Sequence, residues 1–166
     1  FSNIFLIFGK YFRSQKIIHK NLNIFNKNLS DREKKSIVTQ MWRNFGMTFV
    51  EYVFLNHFKK NKSHLEIIGE KNLEKIIKTN EPVIFVSGHF ANFELMSMEI
   101  VRKKIKLATI YRPLNNFFLN PLMEYLRKKY VCKNQIKKGI VGVKDTVNFI
   151  KNNYSIALMI DRSEER

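Results

Sequence analysis

The stretch PVIFVSGHFANFELMSMEI, residues 82–100, predicts a strand, a turn and a helix in succession. Its first part is apolar on both faces and rich in β-branched residues, which is typical of a buried parallel strand. Its last part carries apolar residues at helical spacing. The apolar run is interrupted by Gly88, His89, Asn92 and Glu94. The interruption is either a polar turn or a functional site.

Strand-like and helix-like segments alternate from about residue 65 onward. Long strands are predicted at 82–88, 106–112 and 154–161, and short ones at 65–69 and 135–139. Helices are predicted at 70–79, 93–103, 120–130 and 143–153. This alternation predicts an α/β fold with a mostly parallel sheet flanked by helices.

The first third of the chain is predicted to be helical. Ser30 and Glu33 have the spacing of a capping box, and a long amphipathic helix follows them as far as Phe58. Its apolar stripe faces either a core or a membrane. We expect one domain over 1–166, truncated at both ends, with a helical part at 1–62 and an α/β part at 63–166.

The first 18 residues, FSNIFLIFGKYFRSQKII, contain a short apolar run that is far below the ~20 residues of a membrane span. They form either a helix at a membrane surface, with basic residues toward the headgroups, or an ordinary packed helix.

Composition excludes a disordered chain, because 45% of the residues are hydrophobic and 13% are aromatic. The net charge of +16 favours an anionic partner, which is nucleic acid, acidic lipid or an acidic protein. A codon bias toward lysine is the alternative explanation. Cys132 is the only cysteine, so no intrachain disulfide forms, and we expect it to be a packing residue.

His89 lies one residue beyond a predicted strand end, where parallel α/β sheets bind ligands. Glu94 follows five residues later, in the first turn of the predicted helix. From there its carboxylate is able to fold back onto one ring nitrogen, which leaves the other to take a proton from a hydroxyl. The spacing alone arises by chance with a probability of roughly 0.3, so catalysis and a simple polar turn both stay open.

Two further strand ends carry charged residues. Arg112, at an end expected to neighbour that of His89, is a candidate anion or oxyanion contact, or else a surface arginine paired with a carboxylate. Asp161 ends the last long strand, where a helix-capping role is equally open. Ser87 is not expected to be a nucleophile, because no nucleophile-elbow motif surrounds it.

These residues resemble a known family. SGHFANFE, residues 87–94, resembles the His-x4-Asp/Glu block of the glycerolipid and lysophospholipid acyltransferases. More narrowly, it resembles that of the Kdo-dependent lauroyl and myristoyl late acyltransferases of lipid A biosynthesis, which reads close to His-Phe-Gly-Asn-Trp-Glu. YRPLNN, residues 111–116, is similar to the family's Tyr-Arg-Pro-Leu-x-Asn block. IIGEKNLEKI and ALMID resemble two flanking elements, and the departures fall at Ala91, Phe93 and Arg162, the last standing where glutamine is usual.

The resemblance implies a membrane-associated O-acyltransferase with a glycerol-3-phosphate-acyltransferase-like fold. The single domain over 1–166 would then be an acyltransferase domain, with a membrane-proximal part at 1–62 and a catalytic part at 63–166. It would move a fatty acyl chain from acyl carrier protein to a hydroxyl of a lipid A precursor, in lipopolysaccharide biosynthesis. His89 would be the general base and Glu94 the orienting acid of a His-x4-Glu dyad. Substrate or oxyanion contacts would come from Arg112, Asn92, Asn116 and Asp161.

The implied partners are acyl carrier protein, an anionic glycolipid or phospholipid acceptor, and the cytoplasmic face of the inner membrane. No metal, no cofactor beyond the acyl-carrier donor and no nucleic acid are expected. Two basic clusters would contact headgroups or the carrier: Arg102, Lys103, Lys104 and Lys106, and Arg127, Lys128 and Lys129.

Two alternatives remain open at this point. One is a lysophospholipid or glycerol-phosphate acyltransferase with the same dyad and a different acceptor. The other is a basic nucleic-acid-binding domain. Against the latter, no RNP, zinc or helix-turn-helix signature is present in the sequence.

Overall fold

A computed structural model describes residues 6, 7, 9 and 14–161. The chain divides into two compact units, Phe1–Val53 and Phe54–Arg166. Residues 54–62 therefore belong with the α/β part, although the predicted boundary lies at 62/63. The proposed single acyltransferase domain stays a prediction.

The described part of the first unit is helical. It contains helix α1, Gln15–Phe25, and helix α2, Asp31–Glu51. The predicted capping box is confirmed, because the Ser30 hydroxyl accepts from the Glu33 amide at 3.3 Å and the Glu33 carboxylate accepts from the Ser30 amide at 2.8 Å.

The apolar face of α2 is divided into two stripes. Trp42 and Gly46 are buried. The other stripe is exposed, and it consists of Ile37, Met41, Phe45 and Phe49. The predicted continuous helix to Phe58 is interrupted, since a 3₁₀ turn at Tyr52–Phe54 separates α2 from a short helix α3, Leu55–Lys60.

The second unit alternates helices and strands. After α3 come α4 (Glu70–Thr79), β1 (Ile84–Ser87), α5 (Glu94–Arg102), β2 (Leu107–Tyr111), α6 (Leu119–Leu126), a π-helical turn (Arg127–Val131), β3 (Asn134–Lys137), α7 (Ile140–Lys151) and β4 (Ser155–Met159). The predicted helices and the three long strands of this region are confirmed, as is the short strand near 135–139.

The predicted strand at 65–69 is wrong. The Leu65 amide donates to the Lys62 carbonyl at 3.0 Å in a turn, and Ile68 is 90% exposed. Gly69 then adopts a left-handed conformation, with φ of 79°, immediately before α4. The segment is thus a connection that leads into a helix, and glycine suits the turn because it has no Cβ.

Within the described residues the sheet has four strands, all parallel, in the order β1-β4-β2-β3. Its core is centred on Ala108, Ile136 and Ile156, which lie on the three strands β2, β3 and β4. The predicted α/β class with a parallel sheet is therefore confirmed. Because β4 lies between β1 and β2, the ends of β1 and β4 are neighbours and those of β1 and β2 are not.

Helix α7 lies very close to the end of β3. A Cβ added to Gly142 would stand 2.0 Å from the carbonyl oxygen of Lys137. A glycine at this position is what allows the backbone of the helix to approach the strand so closely.

Most of the 1–18 stretch lies outside the described residues, as does Arg162. In the part of the chain that the structure describes, no helix combines the length and the apolar character needed to cross a bilayer.

Candidate active site

His89 and Asp161 meet at the carboxyl edge of the sheet. Ser87 at the end of β1 is in register with Met159 at the end of β4, so the residues two positions further along are placed side by side. The Asp161 carboxylate accepts from the backbone N–H of His89 at 2.8 Å through Oδ2. Its other oxygen, Oδ1, lies 2.8 Å from the imidazole Nδ1. One carboxylate thus contacts both the backbone and the ring of His89.

The protonation state of this pair follows from its contacts. The backbone N–H and then the imidazole of His89 lower the pKa of the Asp161 carboxyl below its ordinary value. An ionised carboxylate only accepts hydrogen bonds, so Nδ1 must be the donor. In the neutral ring, Nε2 then carries the lone pair that is able to take a proton. The ring is packed edge-on against Phe93, with 4.6 Å between centroids.

Glu94 lies elsewhere than the sequence suggested. It is the first residue of α5 and is 6% exposed. Its Oε1 forms an ion pair with Nε of Arg127 at 2.6 Å, and the guanidinium lies 5.9 Å from the centre of the Tyr111 ring. Glu94 was expected to contact one ring nitrogen of His89, and the carboxylate found at Nδ1 is that of Asp161. The reason is topological, because the end of β4 brings a carboxylate beside His89.

Arg112 follows the end of β2 and is exposed. The expectation that its strand neighbours that of His89 is wrong, because β4 lies between the two. Two inter-strand spacings separate these strand ends by about 10 Å. The preceding residue, Tyr111, has its phenol pKa raised by burial and by a hydrogen bond to Glu124.

Asn116 organises the loop between β2 and α6. Its side-chain oxygen accepts from the amides of Phe118 and Leu119, both at 3.0 Å. These are amides at the start of α6, where a helix has no internal acceptors of its own. The predicted substrate contact by Asn116 therefore stays a prediction, beside an observed capping role.

The turn between β1 and α5 contains a strained residue and a buried amide. Ala91, which stands where the family block has glycine, has φ of +44°. Asn92 is 8% exposed, and neither atom of its side-chain amide has a hydrogen-bond partner within the described ranges. Such a buried amide is costly unless another group contacts it, which keeps Asn92 a candidate for substrate binding.

Several basic residues predicted to contact headgroups or carrier have internal partners instead. The Arg102 guanidinium donates to the carbonyl of Lys59 at 3.0 Å and pairs with Glu99. Lys103 pairs with Glu70 on α4. In residues 6, 7, 9 and 14–161 the structure brings together no group of three or more His, Cys, Asp or Glu residues suited to a metal.

The ion pair of Glu94 with Arg127 and the capping by Asn116 were not predicted from the sequence. Asp161 was singled out, but only as a substrate or capping residue. His89 and Asp161 each lie two residues beyond the paired ends of β1 and β4, Ser87 and Met159. The predicted strands, 82–88 and 154–161, do not show this equal offset, and using it requires knowing that β1 and β4 are neighbours.

The fold and the site together define a class: an α/β protein with a carboxylate-held histidine at the carboxyl edge of a parallel sheet. The chain matches the family described as bacterial lipid A biosynthesis acyltransferase over residues 1–166 and belongs to that family. The resemblance drawn from the two sequence blocks is thereby confirmed.

Curated relatives agree at modest identity. The chain is 23% identical over 141 residues to the lipid A biosynthesis lauroyltransferase of Escherichia coli (strain K12), covering 84% of this chain and 44% of that protein. It is 27% identical over 140 residues to the E. coli K12 palmitoleoyltransferase and to a lipid A biosynthesis acyltransferase of Shigella flexneri, covering 78% of this chain and 44% of each relative. The chain thus spans less than half the length of the curated relatives it matches.

Proposed function

We propose that the protein is an O-acyltransferase that moves a fatty acyl chain from acyl carrier protein to a hydroxyl of a lipid A precursor. The observation that carries this proposal is the His89 imidazole, held through Nδ1 by a carboxylate at the ligand-binding edge of the sheet. Family membership supports the reaction class and the acceptor, since its name specifies lipid A biosynthesis and acyl transfer.

In this mechanism His89 acts as a general base. Nε2 takes the proton of the acceptor hydroxyl while the oxygen attacks the thioester carbonyl, and the C–O bond forms. The C–S bond then breaks, and the leaving thiolate takes the proton back from the imidazolium. No acyl-enzyme is needed, and a positioned base of this kind contributes about 10²–10⁴-fold in rate. The family resemblance assigns the orienting acid of the dyad to Glu94.

Arg112 and Asn92 are proposed to contact substrate. Arg112 follows a strand end that lies two strand spacings, about 10 Å, from the strand end before His89. The distance suits a phosphate of the acceptor, which arginine binds well through its forked donors. The buried amide of Asn92, three residues after His89 and without a hydrogen-bond partner in the described residues, is a donor suited to the oxyanion of the transition state.

A membrane surface is the third proposed partner. Phe117 and Phe118, in the loop after β2, are 84% and 88% exposed. Leu122 and Tyr125 continue the stripe along α6 at helical spacing and are about half exposed, and Lys129 donates to the Tyr125 hydroxyl at 2.7 Å. A row of aromatic and apolar side chains with a lysine at one end suits the boundary between acyl chains and anionic headgroups. We call these five residues the aromatic stripe.

Charge supports the same partners. A net charge of +16 complements a phosphorylated glycolipid, anionic phospholipid and an acidic carrier protein. These partners suit an enzyme at the cytoplasmic face of the inner membrane.

The direct test is mass spectrometry of lipid A from an acylation-deficient host that expresses the full-length protein or its His89→Ala variant. The wild type should add one acyl chain and the variant should add none. His19→Ala, an exposed histidine on α1, is the matched control and should behave as wild type. Wild-type acylation by His89→Ala would disprove the mechanism. Transfer only to lysophospholipid or glycerol 3-phosphate, in an acceptor panel, would disprove the proposed acceptor.

The aromatic stripe is tested by presenting one acceptor in two forms. Phe117→Ser/Phe118→Ser should lose transfer to acceptor in anionic phosphatidylglycerol vesicles and keep it in detergent micelles. Ile140→Ser/Val141→Ser is the matched control, because these α7 residues are similarly exposed, at 84% and 73%. Equal losses in the two presentations would show that the stripe has no role at the membrane.

A further inference from the structure

We infer that Asp161 is the residue that positions the His89 imidazole, and that Glu94 holds Arg127 in an ion pair instead. This inference rests on the proposed function, in which His89 is the base. It moves the orienting role from the fifth residue after the histidine, where the motif places it, to the end of a different strand.

The sheet register makes the contact of Asp161 a consequence of the fold. β1 and β4 are paired in parallel as far as Ser87 and Met159, and both strands end at the same edge of the sheet. The Ile160 amide donates to the Ser87 carbonyl at 3.0 Å, so the pairing continues one residue beyond the strands. The next backbone donor along this edge, the His89 amide, bonds to the Asp161 carboxylate.

The two oxygens of Asp161 have separate tasks. Oδ2 accepts from the His89 backbone and Oδ1 accepts from its ring, each at 2.8 Å. The backbone bond fixes the carboxylate against the main chain, and the ring bond then fixes the rotation and tautomer of the imidazole. This is the function that the acid performs in a Ser-His-Asp triad.

Glu94 has the environment of a structural ion pair. Its side chain is 7% exposed and that of Arg127 is 12% exposed. The pair connects the start of α5 to the start of the π-helical turn that follows α6. Removing one partner would take the buried ion pair away from the other, which loosens this packing and disturbs the site.

The first experiment reads the ring tautomer in full-length protein with ¹⁵N-labelled histidine, with the His89 signals assigned by their loss in His89→Gln. In the neutral ring of the wild type, Nδ1 should carry the proton. Asp161→Asn should remove that preference, whereas Glu94→Gln should keep it. A wild-type ring protonated at Nε2, or an unchanged tautomer in Asp161→Asn, would overturn the inference. This readout needs no catalytic turnover, so it is independent of whether the proposed acyl transfer is correct.

The second experiment separates the two acids kinetically. Asp161→Asn should lower kcat by about 10²–10⁴-fold with little change in KM, as expected for loss of an oriented base. Glu94→Gln should lower activity together with melting temperature. The double variant Glu94→Gln/Arg127→Gln removes both buried charges. It should recover most of the lost activity and most of the lost melting temperature.

If Glu94 were the orienting acid, the double variant would stay as inactive as Glu94→Gln, and that result would overturn the inference. Asp161→Asn with wild-type kcat would do the same. If wild-type protein transfers no acyl chain to any lipid acceptor, the proposed function fails, and the tautomer experiment still decides the contact.

Discussion

Glu94 and Arg127, 33 positions apart in the chain, form a nearly buried ion pair with 2.6 Å between Oε1 and Nε. It joins two helical segments that flank the sheet. The pair places the α5 helix, and hence the turn that carries His89, relative to the segment after α6.

Replacing Arg127 with leucine should destabilise the fold by about 3–5 kcal/mol, because it breaks a nearly buried ion pair with the Glu94 carboxylate. Chemical or thermal unfolding of the variant measures this. Lys34→Leu is the control, since its pairing with Asp31 at 4.0 Å involves a fully exposed carboxylate and should cost at most about 1 kcal/mol. Equal losses for the two variants would contradict the structural role of the buried pair.

The Asp161 carboxyl should titrate below the ordinary aspartate pKa of about 3.9. Its pKa is lowered first by the His89 backbone N–H and then by the imidazole, so His89→Ala should raise it only part of the way back. Because the folded pKa is the lower one, the stabilising contact is complete above the unfolded pKa and is lost as the pH falls through the folded pKa. A carboxyl-carbon NMR titration measures both values. A pKa that is identical in wild type and His89→Ala would show that the imidazole contact is absent in solution.

Replacing Ala91 with glycine should stabilise the fold by up to about 1 kcal/mol, because φ of +44° is unfavourable for a residue with a Cβ. The family block resembled by this chain has glycine at that position. Ala157→Gly makes the same change in the middle of β4, where it should cost at least about 0.5–1 kcal/mol. The melting temperatures of the two variants should therefore move in opposite directions. A lower melting temperature in both would contradict backbone strain at Ala91.

A methyl group at Gly142 should force α7 away from β3, since its Cβ would lie 2.0 Å from the Lys137 carbonyl oxygen. Gly142→Ala should cost about 1–3 kcal/mol by overpacking, even though alanine favours helices. Val143→Ala, at a position 65% exposed on the same helix, should change stability by about 0.5 kcal/mol or less. A Gly142→Ala variant as stable as Val143→Ala would mean that the close approach is not maintained.

Secondary structure was predictable where local patterns are strong. The capping box at Ser30 and Glu33, the buried strands and the helices between them follow from side-chain periodicity and short-range hydrogen bonds. The segment 65–69 has apolar residues that mimic a strand. In the structure Gly69 adopts a left-handed conformation and directs the backbone into the start of α4. A short apolar run contains no information on whether another strand lies beside it.

The two candidate carboxylates show where prediction from sequence stops. Both Glu94 and Asp161 were identified, but their partners were not, because a partner depends on strand order and on how helices pack. The order β1-β4-β2-β3 puts Asp161 beside His89 and separates Arg112 from it. Nothing local to residues 87–94 reveals that Arg127 neutralises Glu94.

The sequence by itself determined the α/β class, the parallel sheet, the histidine at a strand end and the resemblance to lipid A acyltransferases. Those features depend on residue type and on spacing within about ten residues, which the chain carries wherever it folds. Only the tertiary structure decided which acid contacts His89, because that contact joins residues 72 positions apart. Such a pairing is selected by the register of two neighbouring strands, and the register is a property of the assembled sheet.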